Sequence, residues 1–108
     1  MDPLFEYADN WLRQTGISHH TQFLFRTARK FIQDIETARP GFSQQLRAAA
    51  LTHLSDADHH LVRKSLTALA IVGHVDDVES IEVVVAEGTP DLAAVARFAQ
   101  FELEHRAA

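Results

Sequence analysis

Cysteine is absent from the chain, which removes disulfides, thiolate metal sites and cysteine nucleophiles together and fits a reducing compartment. Glycine and proline are scarce, at four and three residues of 108, and no linker or low-complexity stretch appears. The apolar runs are far short of the roughly 20 residues that cross a bilayer. The opening stretch, MDPLFEYAD, is acidic and lacks a basic leader region, so no secretory signal is expected and the location expected is cytoplasmic. Basic residues number ten against fifteen acidic, for a formal charge of −5. That balance argues against a general nucleic-acid coat while leaving room for a local basic face. What is present is enough apolar residue, 46% of the chain, for one folded domain covering 1–108.

The chain repeats itself. Arg29, Arg63 and Arg97 are spaced by 34 and 34 residues, and the same step links Ile35, Leu69 and Leu103, and Ala28, Val62 and Ala96. It also links Thr21, Ser55 and Thr89, each a residue type whose side-chain oxygen can cap a helix start. Ser55 is followed by Asp58 in a near capping box, and Thr89 by Pro90, suited to the first helical position.

Each period holds two helices. The first begins with Asp2 and Pro3, buries Leu4, Ala8, Trp11 and Leu12, and stops near Gly16. The second starts near Gln22 and faces inward with Leu24, Ala28, Phe31 and Ile35. After the break ARPG, Ser43 opens a third through Leu46, Ala50 and Leu54. The fourth, DHHLVRKSLTALAIVG, points Leu61, Val62, Ser65, Leu69 and Val72 inward and ends at Gly73. Asp76 and Glu79 form a capping box before Ile81 and Val85, with Gly88 as the stop. The sixth runs from Pro90 to about His105, with Leu92, Val95, Ala99 and Leu103 inward. One local conflict exists: SIEVVVAEG would read as a strand in isolation. Its register with SQQLRAAALTH makes it a helix.

The stretch DHHLVRKSLTALAIVG resembles the second helix of a HEAT-like repeat, with its acidic residue, Val-Arg, Ala-Leu and closing Gly. PDLAAVARFAQFEL and QFLFRTARKFIQDI are weaker copies; the first repeat lacks the acidic residue, and the third has Ala96 before Arg97. Tetratricopeptide repeats share the period, but their Trp, Gly, Tyr and Pro positions are not reproduced. Another helical-hairpin solenoid and an irregular bundle stay open as alternatives. The resemblance implies an all-α superhelix, or solenoid, of three helix pairs with repeats at about 2–37, 41–73 and 75–107. It further implies a non-enzymatic scaffold whose second helices line a partner-binding face.

Seven of the ten basic residues fall on those second helices: Arg26, Arg29, Lys30, Arg63, Lys64, Arg97 and Arg106. Acid gathers elsewhere, at Glu6, Asp9, Asp76, Asp77, Glu79, Glu82 and Glu87. A stack would present a basic stripe to a protein partner with an acidic surface. For Arg63 and Arg97 a second reading is preferred, an inter-repeat ladder with Asp58 and Asp91, as the family often builds. Phe98 and Phe101 occupy positions that are polar in the earlier repeats and serve as a candidate partner or homodimer contact through the C-terminal helix. The partner-binding candidates are thus Arg26, Arg29, Lys30, Arg63, Lys64, Arg97, Phe98 and Phe101.

Histidines cluster near the turns, at His19, His20, His53, His59 and His60, with Glu87 third in the series His19, His53, Glu87. A His-carboxylate set suits zinc or iron. Packed helices, however, lie roughly 8–10 Å apart, and adjacent histidines diverge by about 100° on a helix. HEAT-like deoxyhypusine hydroxylases bind iron through His-Glu dipeptides, and none occurs here. No metal or other cofactor is expected. Nor is catalysis: Ser55 and Ser65 sit on no strained elbow, no glycine-rich phosphate loop occurs, and Asp76-Asp77 stands where a cap belongs. HEAT-like alkylpurine DNA glycosylases use a long basic surface that this short acidic chain does not offer. The alternatives to a binding module are an inhibitor or immunity protein against a bacterial toxin and, more weakly, a lyase or hydroxylase subunit.

Overall fold

The structure, a computed structural model, describes the backbone of residues 23–107 and the side chains of Lys30 and of residues 32–105. Five helices carry it: α1 (Phe23–Ala38), α2 (Phe42–His53), α3 (His59–Val72), α4 (Asp77–Glu87) and α5 (Pro90–Ala107). No strand occurs among the described residues, so the protein is all-α there. The expected helix from Asp2 to Gly16, the Thr21 cap, and the side chains of Leu24, Ala28 and Phe31 lie outside the described residues.

The β-branched run Ile81–Ala86 is helical within α4. Ile81 and Val84, three apart on a helix, are both buried, so one face of the run packs inward and tertiary contact overrides local preference. α4 packs most extensively on α5, and α2 on α3. α3 also touches α5 and α1, so it contacts both of the other long helices.

One continuous core joins all five helices, from Ile32 and Ile35 through Phe42, Leu46, Leu66, Leu69 and Ile81 to Leu92, Ala99 and Leu103. Every expected inward residue of α5 except Val95, which is half-buried, is fully buried. α3 departs from expectation. From Ser65 to Ile71 every residue is buried, not one face only. A helix gripped by α1, α2 and α5 cannot keep a polar side. The two hydroxyls in that stretch are satisfied within the helix: Ser65 Oγ donates to the Leu61 carbonyl at 2.8 Å and Thr67 Oγ1 to the Arg63 carbonyl at 3.1 Å.

Two helix starts differ from the sequence reading. α2 opens at Phe42 rather than Ser43, after Gly41 in a left-handed conformation at φ 88° that favours glycine. Ser43 does not cap it. The Glu36 carboxylate, at the end of α1, accepts from the Gly41 and Ser43 amides at 3.1 and 3.0 Å. Those bonds hold its pKa below the usual carboxylate value. At α3 the cap is Asp58, whose side chain accepts from the His60 amide at 2.9 Å, and not Ser55. Asp58 has the extended backbone a cap needs, and a carboxylate also interacts with the helix dipole. The expected Thr89 cap is present: its Oγ1 accepts from the Leu92 amide at 3.4 Å, and α5 starts at Pro90. Gly73 ends α3 as expected, because a Cβ there would collide with the Leu69 carbonyl and lie 3.2 Å from the Leu103 side chain.

Candidate interaction surface

The best-built polar contact is one the sequence reading did not identify. Arg47 on α2 donates through Nε and Nη2 to both oxygens of Asp77, at 2.8 and 2.7 Å. The Asp77 side chain is 4% exposed and that of Arg47 31%. The same carboxylate accepts from the His74 amide at 2.9 Å, while the Asp77 amide donates back to the His74 carbonyl. Asp77 therefore fixes the turn into α4 and ties it to α2. The capping box expected from Asp76 and Glu79 is not formed; Asp76 makes no side-chain cap bond. Burial pushes the Asp77 carboxyl up, but the Arg47 and His74 hydrogen bonds and the Arg47 charge outweigh it and hold the group below its ordinary value. Arg47 is pushed up in turn, chiefly by its bond to Asp77.

Arg63 and Arg97 do the opposite. Both are exposed, and neither forms an ion pair with Asp58 or Asp91 among the described residues. The expected ladder is corrected: Asp58 is occupied at its own helix start, and Asp91 is exposed in the first turn of α5. The inter-element arginine–aspartate bond exists, but between Arg47 and Asp77.

The other stripe candidates divide. Lys30 is exposed on α1 and Lys64 half-buried on α3. The side chains of Arg26, Arg29 and Arg106 lie outside the described residues. Exposed cations thus sit on α1, α3 and α5, and α3 contacts both of the others. Because α3 is buried from Ser65 onward, its share of the surface is limited to its first turns, at His59, His60, Arg63 and Lys64.

Phe98 and Phe101 do not form one patch. Phe98 is half-buried and packs against the core, whereas Phe101 is 47% exposed. Positions three apart on a helix are offset by about 60°, enough to turn one ring inward and the other out. The Phe101 ring lies against His105, with centroids 3.7 Å apart.

Of the histidines, His53 is engaged by Asp56 at 3.4 Å, and His59, His60 and His74 are exposed. His19 and His20 lie outside the described residues. No cluster of three or more His, Asp or Glu able to hold a metal occurs among the described residues. Acid lines a shallow depression between α4 and the end of α5, formed by Val75, Asp76, Val78, Glu79, Glu82 and Glu104. Nearby, Gln100 Nε2 donates to Glu82 Oε2 at 2.7 Å and to the Val78 carbonyl at 3.1 Å, fastening the two helices. No helix among the described residues is long and apolar enough to cross a membrane. Comparison of the chain with protein-family models, with curated proteins and with solved structures finds no match.

Proposed function

We propose that this chain is a HEAT-like solenoid of three helix pairs that works as a non-catalytic interaction module, binding an acidic protein surface through α1, α3 and α5. The carrying observation is the pair Arg63 and Arg97. They stand in register on adjacent helices, exposed and without an ion pair among the described residues, in a chain with fifteen carboxylates. Cations left unpaired beside so much acid are available to an acidic partner and would steer its approach. Lys30 adds an exposed cation on α1, which contacts α3. The burial of Ser65 to Ile71 confines the share of α3 in this surface to its first turns.

Capture of bound proteins by the wild-type chain and by a Lys30→Glu, Arg63→Glu variant tests the reading. The wild type should retain a partner that is released by salt, and the variant should lose it while melting at nearly the same temperature. Equal retention by both chains, or unfolding of the variant, overturns it.

A further inference from the structure

The outer face of α5 carries a second pattern, independent of Arg63 and Lys30. At 3.6 residues per turn, Pro90, Ala94, Arg97, Phe101, Glu104 and His105 fall within one arc of about 100°, and all six are exposed. The opposite arc, Leu92, Ala96, Ala99 and Leu103, is buried. Ala94, Arg97, Phe101 and Glu104 follow one another at steps of three, four and three, the spacing of a coiled-coil seam. At the centre is Phe101, the one aromatic side chain among the exposed large hydrophobic residues described. The His105 ring lies against it, with centroids 3.7 Å apart, and His105 Nδ1 is 2.9 Å from the Phe101 backbone carbonyl. One turn to either side stand a cation and an anion. Arg97 and Glu104 cannot neutralise each other within the chain, since seven residues of helix separate them by about 10 Å.

We propose that a second copy of this chain covers the seam, antiparallel and related by a two-fold axis that crosses α5 near Phe101. Such an axis sets Arg97 of each copy over Phe101 and against Glu104 of the other, so both the ring and the charges are matched twice. A guanidinium over an aromatic face is itself attractive. The two-fold arrangement closes on itself and does not polymerise. The seam's charges select the occupant: a strip with opposite charges placed evenly about an aromatic residue is complementary to itself. The neighbouring cationic patch would repel its own copy. The inference goes beyond the partner reading; the two share Arg97 and are told apart by Lys30→Glu with Arg63→Glu, which should weaken partner capture and leave the dimer intact.

Sedimentation equilibrium of the full chain provides the test, with wild type, Arg97→Glu, Glu104→Arg, an equimolar mixture of those two, and the chain carrying both changes. The wild type should dimerise, less tightly in high salt. Each single change places like charges opposite one another twice and should weaken association about tenfold or more. Mixing the two should restore a dimer, because a chain with two acids then faces a chain with two arginines. The double variant should recover as well, its pair merely reversed. A monomeric wild type, single variants that associate as wild type does, or a mixture that stays monomeric each overturn the proposal. The wild type and the double variant decide the matter even where a single variant folds poorly.

Discussion

The junction between α2 and α4 and the exposed side of α3 and α5 both present arginine, and the two regions use it in opposite ways. At the junction, Arg47 spends two donors on a carboxylate that is 4% exposed and that also holds a backbone amide. Every bond there joins parts of the same fold. Elsewhere, Arg63 and Arg97 stand in solvent with no carboxylate bonded to them among the described residues. Residue type is the same, so the distinction lies in geometry: whether a carboxylate is buried within reach of a planar, fixed fork of donors. Arginine in the first setting maintains structure; in the second it remains free for something else.

The largest effect should come from breaking the junction. Arg47→Ala leaves Asp77 buried without its cation, and losing one partner of a buried pair costs about 3–5 kcal/mol. The remaining exposure of Arg47 places the expected loss near the lower end, about 3 kcal/mol, measurable by urea denaturation. The variant should also differ in acid. Asp77 has a folded-state pKa held below its unfolded value, so its contribution is complete above the unfolded value and fades as pH falls through the folded one. Wild type should therefore lose this part of its stability only at a pH below the usual carboxylate range. Arg47→Ala should show a smaller loss there, because little of that contribution is left to remove. Equal stability of the two chains at neutral pH would dissolve the contrast between the two regions.

A similar contrast between an engaged and an idle polar group is found at the start of α3. Asp58 bonds the His60 amide, while Ser55 lies outside the helix. Asp58→Ala should cost about 1 kcal/mol, the usual worth of a helix cap. Ser55→Ala should change stability by less than about 0.5 kcal/mol. Thermal melts of the two variants separate these outcomes, and a larger loss for Ser55→Ala would return the cap to the 34-residue register.

Much of the fold was legible because helical periodicity is a local signal. Of the apolar positions assigned to the helices, Ile35, Leu46, Ala50, Leu69, Ile81, Leu92 and Leu103 are buried, while Leu54, Leu61, Val72, Val85 and Val95 are half-buried. The helix through Ile81 was legible only by register with an earlier segment, against its own β-branched composition. Three features escaped for physical reasons. Phe42, fully buried, precedes the serine that looked like a cap, and the group that serves the start, Glu36, belongs to the previous helix. The burial of Thr67, Ala70 and Ile71 arises from helices on several sides, which one segment's pattern does not report. The Arg47–Asp77 bond spans thirty residues and follows no period. At the surface, the 34-residue step picked out Arg63 and Arg97 but gave them the ladder that Arg47 makes. It also grouped Phe98 with Phe101, although their offset on α5 sends them to different surroundings.

The smallest effect is the most demanding comparison. Arg63→Ala and Arg97→Ala remove exposed side chains that hold no ion pair among the described residues, so each should shift stability by less than about 0.5 kcal/mol at dilutions where the chain is monomeric. Surface cations on an acidic protein could even contribute weakly through long-range attraction to the net charge of −5. That contribution is screened over a Debye length of about 10 Å at 0.1 M salt. Melting both variants at low and high salt separates the two components. A loss that appears only at low salt reports this general field and leaves the assignment intact. A loss of about 2 kcal/mol that persists at high salt would mean that Arg63 or Arg97 is bonded into the fold as Arg47 is, and the two regions would no longer differ in kind.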